Sequence, residues 1–255
     1  MPYLEFDGKR AYYAGDISGE GVPVIFCHGS GGGHQHWLYQ LKGLKNSLRP
    51  LAVDLPGHGR SEGSAANNIA VYRDWLNRFS KALGLSSFFL GGHSMGGAIA
   101  LSYALEYPDD ISGLILVGSG GRLRVLPTVL ESLRNNILPA DLIDYLYALE
   151  APGELLERGK AELEATAISV LYADYSACDK FDLLEDLPRI SQPTLIICGA
   201  EDRLTPIKYS RYLEEKLPGG QVKIIEGAGH MVMLEKPEEV NQAVINFTGQ
   251  FAANH

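Results

Sequence analysis

Gly92-His93-Ser94-Met95-Gly96 decides how this chain reads, because it sets one serine inside a Gly-x-Ser-x-Gly pentapeptide between an apolar run and a helix-like segment. Upstream, Ser87-Phe88-Phe89-Leu90-Gly91 has the composition of a buried strand. Downstream, Ala98 to Leu105 is apolar, with small residues on its first turns, and reads as a helix. A strand that turns sharply into a helix at a serine presents the hydroxyl as a nucleophile and strains the serine's own backbone. Bulky neighbours would block such a turn, and Gly92, Gly96 and Gly97 leave the space it needs. The start of the following helix aims free N–H groups at any anion that forms on a substrate.

Outward from this turn, short β-rich runs alternate with longer amphipathic ones. This predicts an α/β fold with a mainly parallel central sheet flanked by helices. Strands are expected at residues 10–14, 22–27, 49–54, 87–91, 113–117, 194–198 and 221–225, with an antiparallel edge strand near 3–6. Helices are expected near 35–45, 69–83, 96–107, 206–216 and 237–251. The alternation breaks between about residues 121 and 187, where Leu133, Leu138, Leu142, Ile143, Leu146, Leu149, Leu155 and Leu156 recur at helical spacing without an intervening strand. Gly118-Ser119-Gly120-Gly121 leads into this helical insertion and Pro188-Arg189-Ile190-Ser191-Gln192-Pro193 leads out of it.

The chain's 255 residues suit one α/β domain with an insertion. Its 22 Lys and Arg against 31 Asp and Glu, a formal charge of −9, argue against nucleic acid or an anionic membrane surface as partner. Cys27, Cys178 and Cys198 form an odd set without C-x-x-C spacing, and two of them sit in apolar runs, as reduced core thiols would. Residues 1–15 lack the unbroken apolar stretch of a signal peptide, and no later segment has the length of a membrane span, so a soluble, cytoplasmic protein is expected. The sequence carries no signal for an oligomeric state.

A serine hydroxyl needs a base to take its proton and a third group to orient that base. Asp202, in Gly199-Ala200-Glu201-Asp202-Arg203-Leu204-Thr205-Pro206, follows one expected strand. His230, in Gly227-Ala228-Gly229-His230, follows the last. Ser94, Asp202 and His230 are therefore expected at the C-terminal edge of the sheet, where open α/β sheets carry their sites. For the oxyanion, the N–H of Met95 is one expected donor and that of Ser30, in the glycine-rich loop His28-Gly29-Ser30-Gly31-Gly32-Gly33, is the other.

With His28-Gly29-Ser30-Gly31, Asp54-Leu55-Pro56-Gly57-His58-Gly59-Arg60-Ser61, the pentapeptide at Ser94, the Asp202 loop and the His230 loop in this order, the chain resembles an α/β-hydrolase-fold enzyme over most of its length. The resemblance implies a core of residues 1–120 and 188–255, with 121–187 as a helical cap subdomain over the pocket. It also implies that His28 braces the oxyanion loop. Dehalogenases and epoxide hydrolases of this fold use an aspartate as nucleophile, where this chain has Ser94. Some members carry the acid after the preceding strand, where this chain has Gly118 to Gly121 and no carboxylate, leaving Asp202 as the orienting acid.

The remaining candidates have plainer readings. Glu201 is expected to point away from the base. His58 and His93 are expected to be packing residues. His34 and His36 either line the pocket mouth or form an i, i+2 metal pair, but no third ligand accompanies them and no metal or organic cofactor is expected. Met231 and Met233 either touch substrate or fill space, and Arg122 and Arg124 either recognise a carboxylate or sit in a solvated turn. The expected function is a serine hydrolase, cleaving small to medium carboxylic esters through an acyl-enzyme. A carbon–carbon hydrolase, a lactonase or a cofactor-free lyase of the same fold is the alternative within the enzymes. A small-ligand receptor with residual hydrolysis is the alternative outside them.

Overall fold

The fully buried run Phe88–His93 forms the middle of an eight-stranded sheet in the computed structural model, which describes residues 3–251; residues 1–2 and 252–255 of the expected core lie outside the described residues. The strands are β1 (Tyr3–Phe6), β2 (Lys9–Gly15), β3 (Pro23–Cys27), β4 (Arg49–Val53), β5 (Phe88–His93), β6 (Ile111–Val117), β7 (Thr194–Gly199) and β8 (Gly220–Ile225), in the order β1-β2-β4-β3-β5-β6-β7-β8. Strands β3 to β8 are parallel. The antiparallel edge holds two strands rather than the single one expected, because β2 pairs antiparallel with both β1 and β4. Asp7 and Gly8 make the reversal: Phe6 pairs with Lys9, and φ is 51° and 70° at the two turn residues. Positive φ at both positions matches the right-handed twist of a two-residue hairpin.

The covering helices are α1 (Leu38–Leu44), α2 (Ile69–Ala82), α3 (Met95–Glu106), α4 (Pro127–Arg134), α5 (Gly153–Ala165), α6 (Ile168–Asp179), α7 (Ile207–Lys216), α8 (Val232–Glu235) and α9 (Pro237–Gly249). The helix expected from residue 35 begins as a 3-10 turn, His34–Trp37, tied to the end of β4 where the His34 N–H donates to Asp54 Oδ1 at 2.6 Å. Alternation along β3 builds the two faces of the core. Ile25 and Cys27 join Leu76 and Phe79 of α2 and Ile99 and Leu101 of α3, whereas Val24 and Phe26 join Leu44 of α1 and Val244 and Phe247 of α9. Phe26 is fully buried and stacks on Trp37 with ring centroids 4.5 Å apart. Truncating it leaves a cavity in a dense core, so Phe26→Ala is expected to cost about 3–5 kcal/mol in urea unfolding, read as a lowered midpoint at unchanged slope.

Between β6 and β7 lie α4, a 3-10 turn at Leu142–Tyr145, α5 and α6, and the segment's entry and exit touch through an antiparallel bridge between Arg122 and Asp182. The leucines from 133 to 149 are not one helix. Asn136, at φ 60°, and Pro139 stop α4, and Leu149 stands 81% exposed while Leu133 and Leu142 are buried. All three cysteines are free and buried, and burial pushes the Cys27 and Cys178 thiols up to about 12 and the Cys198 thiol to about 11. No helix among the described residues is long and apolar enough to cross a membrane.

Candidate active site

Ser94 sits between β5 and α3 at φ 50° and ψ −112°. Such a backbone costs on the order of 1–3 kcal/mol and persists only where the surroundings impose it. They do so from both sides, since the Ser94 N–H donates to Val117 O at 2.9 Å and Ser119 Oγ donates to Ser94 O at 2.8 Å. The turn is too tight for a side chain beside it. A Cβ on Gly92 would run into the Gly96 carbonyl, and one on Gly96 into the Cys27 carbonyl.

Parallel pairing places the ends of β3, β4, β5, β7 and β8 at one edge of the sheet, so the loops after them meet there. Asp202, after β7, and His230, after β8, are 4% and 2% exposed and lie 2.9 Å apart, Oδ2 to Nδ1. Asp202 is held on every side: Oδ1 accepts from the N–H groups of Leu204 and Thr205 at 2.9 and 2.8 Å, and Oδ2 accepts from Thr205 Oγ1 at 2.8 Å. Burial alone would raise its pKa. The charge and hydrogen bond of His230, with the Thr205 donors, outweigh burial and hold the carboxyl well below its ordinary value. An ionised Asp202 accepts from His230 Nδ1–H and leaves Nε2 with a free lone pair. Ser94 and His230 line the same cavity, and no Ser94–His230 hydrogen bond forms among the described residues. In unliganded sites this contact is often long and tightens when substrate binds.

The His230 loop is braced further. His93 Nε2 lies 3.1 Å from His230 O, and its ring packs on the His230 ring at 4.6 Å. Glu235 accepts from the Gly229 and Ala148 N–H groups, both at 2.9 Å, and burial raises its pKa. Glu201 points elsewhere, taking the Leu149 N–H at 3.3 Å.

His28 is neutral and locked in one tautomer. Its Nδ1–H donates to Gly29 O at 2.8 Å and its Nε2 accepts from the Leu55 N–H at 3.1 Å, while burial and the neighbouring His58 hold its pKa well below the ordinary value. It thus ties the Ser30 loop to the loop after β4. Ser30 Oγ donates to Met95 Sδ at 3.8 Å, so the two residues expected to supply oxyanion donors are neighbours, and neither backbone N–H has a partner among the described residues. His34 is drawn away from the cavity onto Asp54, at 2.9 Å, but His36 lines it and reaches Glu162 at 3.3 Å.

The cavity measures about 660 Å³ and is lined by Gly29, Ser30, Ser94 and His230 on the sheet side. Across from them the segment between β6 and β7 contributes mostly apolar side chains, among them Leu123, Val125, Leu142, Leu146 and Leu163. Met231 lines it, whereas Met233 is buried in the core. Arg122 pairs with Asp182 at 3.2 Å and does not reach the cavity; Arg124 lines it and remains exposed. Four groups that matter to this geometry were not singled out in the sequence: Thr205, Ser119, Glu235 and Asp174. Only Thr205 left a signal, three residues past Asp202 and just before a proline, as in a turn closed by an Asp side chain.

A mostly parallel sheet with a strained serine between strand and helix, and an acid and a histidine after later strands, defines the class of α/β hydrolases. Comparison agrees: the model of the alpha/beta hydrolase family matches residues 24–243, and the chain belongs to that family. It is 30% identical to the "Putative carbamate hydrolase RutD" of Caulobacter sp. (strain K31), over 97% of this chain and 98% of that protein. Among solved structures it is similar to a thermophilic esterase at 35% identity and a TM-score of 0.85, covering 97% of this chain and 96% of that one. It is also similar to Est816, described as an N-acyl homoserine lactone degrading enzyme, at 26% identity and a TM-score of 0.86, covering 96% of this chain and all 100% of that one.

Proposed function

We propose that the protein is a serine hydrolase of small to medium carboxylic esters, working through Ser94, His230 and Asp202. The observation that supports this most directly is the buried Asp202–His230 contact at 2.9 Å in the wall of a cavity that also holds Ser94. In this reading His230 Nε2 takes the Ser94 proton as Oγ attacks the ester carbonyl, and the Ser30 and Met95 N–H groups receive the oxyanion. His230 then protonates the leaving alcohol, and a water activated by the same histidine releases the acid from the acyl-enzyme. The route uses only the protein's own side chains and backbone N–H groups, and water. Residues 121–187 act as a cap whose apolar lining selects the acyl chain, in keeping with esterases among the chain's structural relatives.

Arg124 favours a second reading, in which the substrate carries a carboxylate: an ester with an acidic acyl group, or a β-diketone acid cleaved at a carbon–carbon bond. The two readings part on charge. For neutral p-nitrophenyl esters of rising chain length, Arg124→Ala is expected to leave kcat/KM within about threefold of the parent, since exposed charges contribute little to an uncharged ligand. For p-nitrophenyl hemisuccinate, a drop of more than about tenfold in the same variant would move the carboxylate reading forward. Turnover of none of these esters by the intact protein would sink the ester assignment.

A further inference from the structure

The segment between β6 and β7 does more than roof the cavity, because it grips the loop that carries Ser30. Asp174, on α6, is fully buried beneath that loop. Its Oδ2 accepts from the Gly31 N–H at 2.8 Å and lies 2.8 Å from His58 Nε2, and its Oδ1 accepts from Tyr72 OH at 2.6 Å. Thr166, between α5 and α6, has its Oγ1 3.0 Å from both Gly31 O and Glu162 O and shares its one hydroxyl hydrogen between the two carbonyls. Gly31 is therefore held by both its N–H and its carbonyl, from the same inserted segment. It sits at φ 67°, where a side chain would be strained and would collide with Leu171 of α6.

His58 shows what the carboxylate does there. Its Nδ1 faces Pro56 O at 3.1 Å, a pure acceptor, so when Nε2 donates to an ionised Asp174 both ring nitrogens are donors and the ring is an imidazolium. Burial opposes that charge, but the hydrogen bond and charge of Asp174 overcome it and raise the His58 pKa. A paired charge at the centre of three donors fixes the position of Gly31 far more firmly than a neutral loop contact would.

We propose that Asp174 is a positioning residue for the oxyanion hole: by fixing Gly31 it aims the adjacent Ser30 N–H at the carbonyl oxygen attacked by Ser94, so that cap and catalytic loop are set as one unit. This rests on the hydrolase reading above.

The test compares intact protein with Asp174→Asn and Thr166→Val, using an ester that the parent turns over, an alkyl trifluoromethyl ketone and the matching unreactive alcohol. Ser94 Oγ adds to the ketone carbon, the carbonyl π pair becomes an oxyanion and the serine proton passes to His230, so the ketone's Ki reports the oxyanion hole while the alcohol's Ki reports the cavity. Misaiming one donor is expected to lower kcat about 10–100-fold in Asp174→Asn and to raise the ketone Ki in proportion, with the alcohol Ki and KM within about threefold. Thr166→Val, nearly isosteric, is expected to lower kcat and raise the ketone Ki together, each by about threefold or more. Parental kcat and ketone Ki in the folded variants would overturn the proposal, as would ketone and alcohol Ki rising equally. Should Asp174→Asn fail to fold, parental values in Thr166→Val overturn it alone. If the parent itself shows no ester turnover and no Ser94-dependent ketone binding, the hydrolase reading fails and takes this proposal with it, an outcome distinct from an active parent with unaffected variants.

Discussion

Ser94→Ala is expected to lower ester turnover by at least about 10⁴-fold and to abolish labelling by a fluorophosphonate, with the melting temperature unchanged or slightly higher. The loss should be this large because, in the proposed route, the hydroxyl is the one group that forms a covalent bond to substrate, and residual hydrolysis would rest on the oxyanion donors and binding alone. The fold should survive because its supports do not pass through the hydroxyl. The turn is pinned by the Ser94 backbone, N–H to Val117 O and Ser119 Oγ to Ser94 O, and alanine keeps both. Alanine also inherits the strained φ of 50°, so no release of backbone strain confuses the comparison as it would with glycine. A variant that kept more than about 1% of parental turnover would place the nucleophile elsewhere and remove the basis for the whole route.

The pentapeptide was legible because its demands are local: the glycines beside Ser94 are required by atoms within a few residues or on the adjoining strand, and strand and helix flank it directly. The same holds for Asp202 and His230, each placed by the end of a parallel strand, and parallel pairing turns chain order into a shared edge. The supports were not legible, because they come from far along the chain. Asp174 is 143 residues from Gly31 and 116 from His58, and on its own helix it looks like any polar residue between apolar ones. Glu235 likewise reads as a helix-end acid until Gly229 and Ala148 are folded onto it. The leucines of residues 133–149 misled for a related reason, since helical spacing survives in a segment that Asn136 and Pro139 break into turns, leaving Leu149 outside. Both edge strands are legible from composition, but the antiparallel direction of β2 is not, since it is carried by the Asp7-Gly8 hairpin that joins it to β1.

Asp202→Asn is expected to lower kcat by about 10⁴-fold at neutral pH while KM changes little, through a reversal of the histidine's tautomer rather than a loss of packing. Asp202 uses both oxygens as acceptors, and the two sides are not equivalent. On one side Oδ1 faces two backbone N–H groups, of Leu204 and Thr205, which only an oxygen can satisfy. An asparagine must therefore keep its oxygen there and turn its NH₂ toward His230 Nδ1 and Thr205 Oγ1. The hydroxyl of Thr205 can rotate to accept, but Nδ1 can accept only by giving up its hydrogen. The proton then resides on Nε2, facing Ser94, where a lone pair is needed to take the serine proton. The electrostatic consequence has the same sign. A carboxyl whose pKa is lowered in the folded state stabilises the fold at neutral pH and surrenders that stability only as pH falls below the ordinary carboxylate range through its depressed value. The parent should thus lose stability on acidification partly through Asp202, and the asparagine variant should show a flatter dependence over the same acidic range. Steady-state kinetics at neutral pH together with melting temperatures from neutral to acid would separate the two effects. An Asp202→Asn protein with near-parental kcat would mean that His230 is oriented by some other group, and Thr205, 3.4 Å from Nδ1, would be the first residue to replace next.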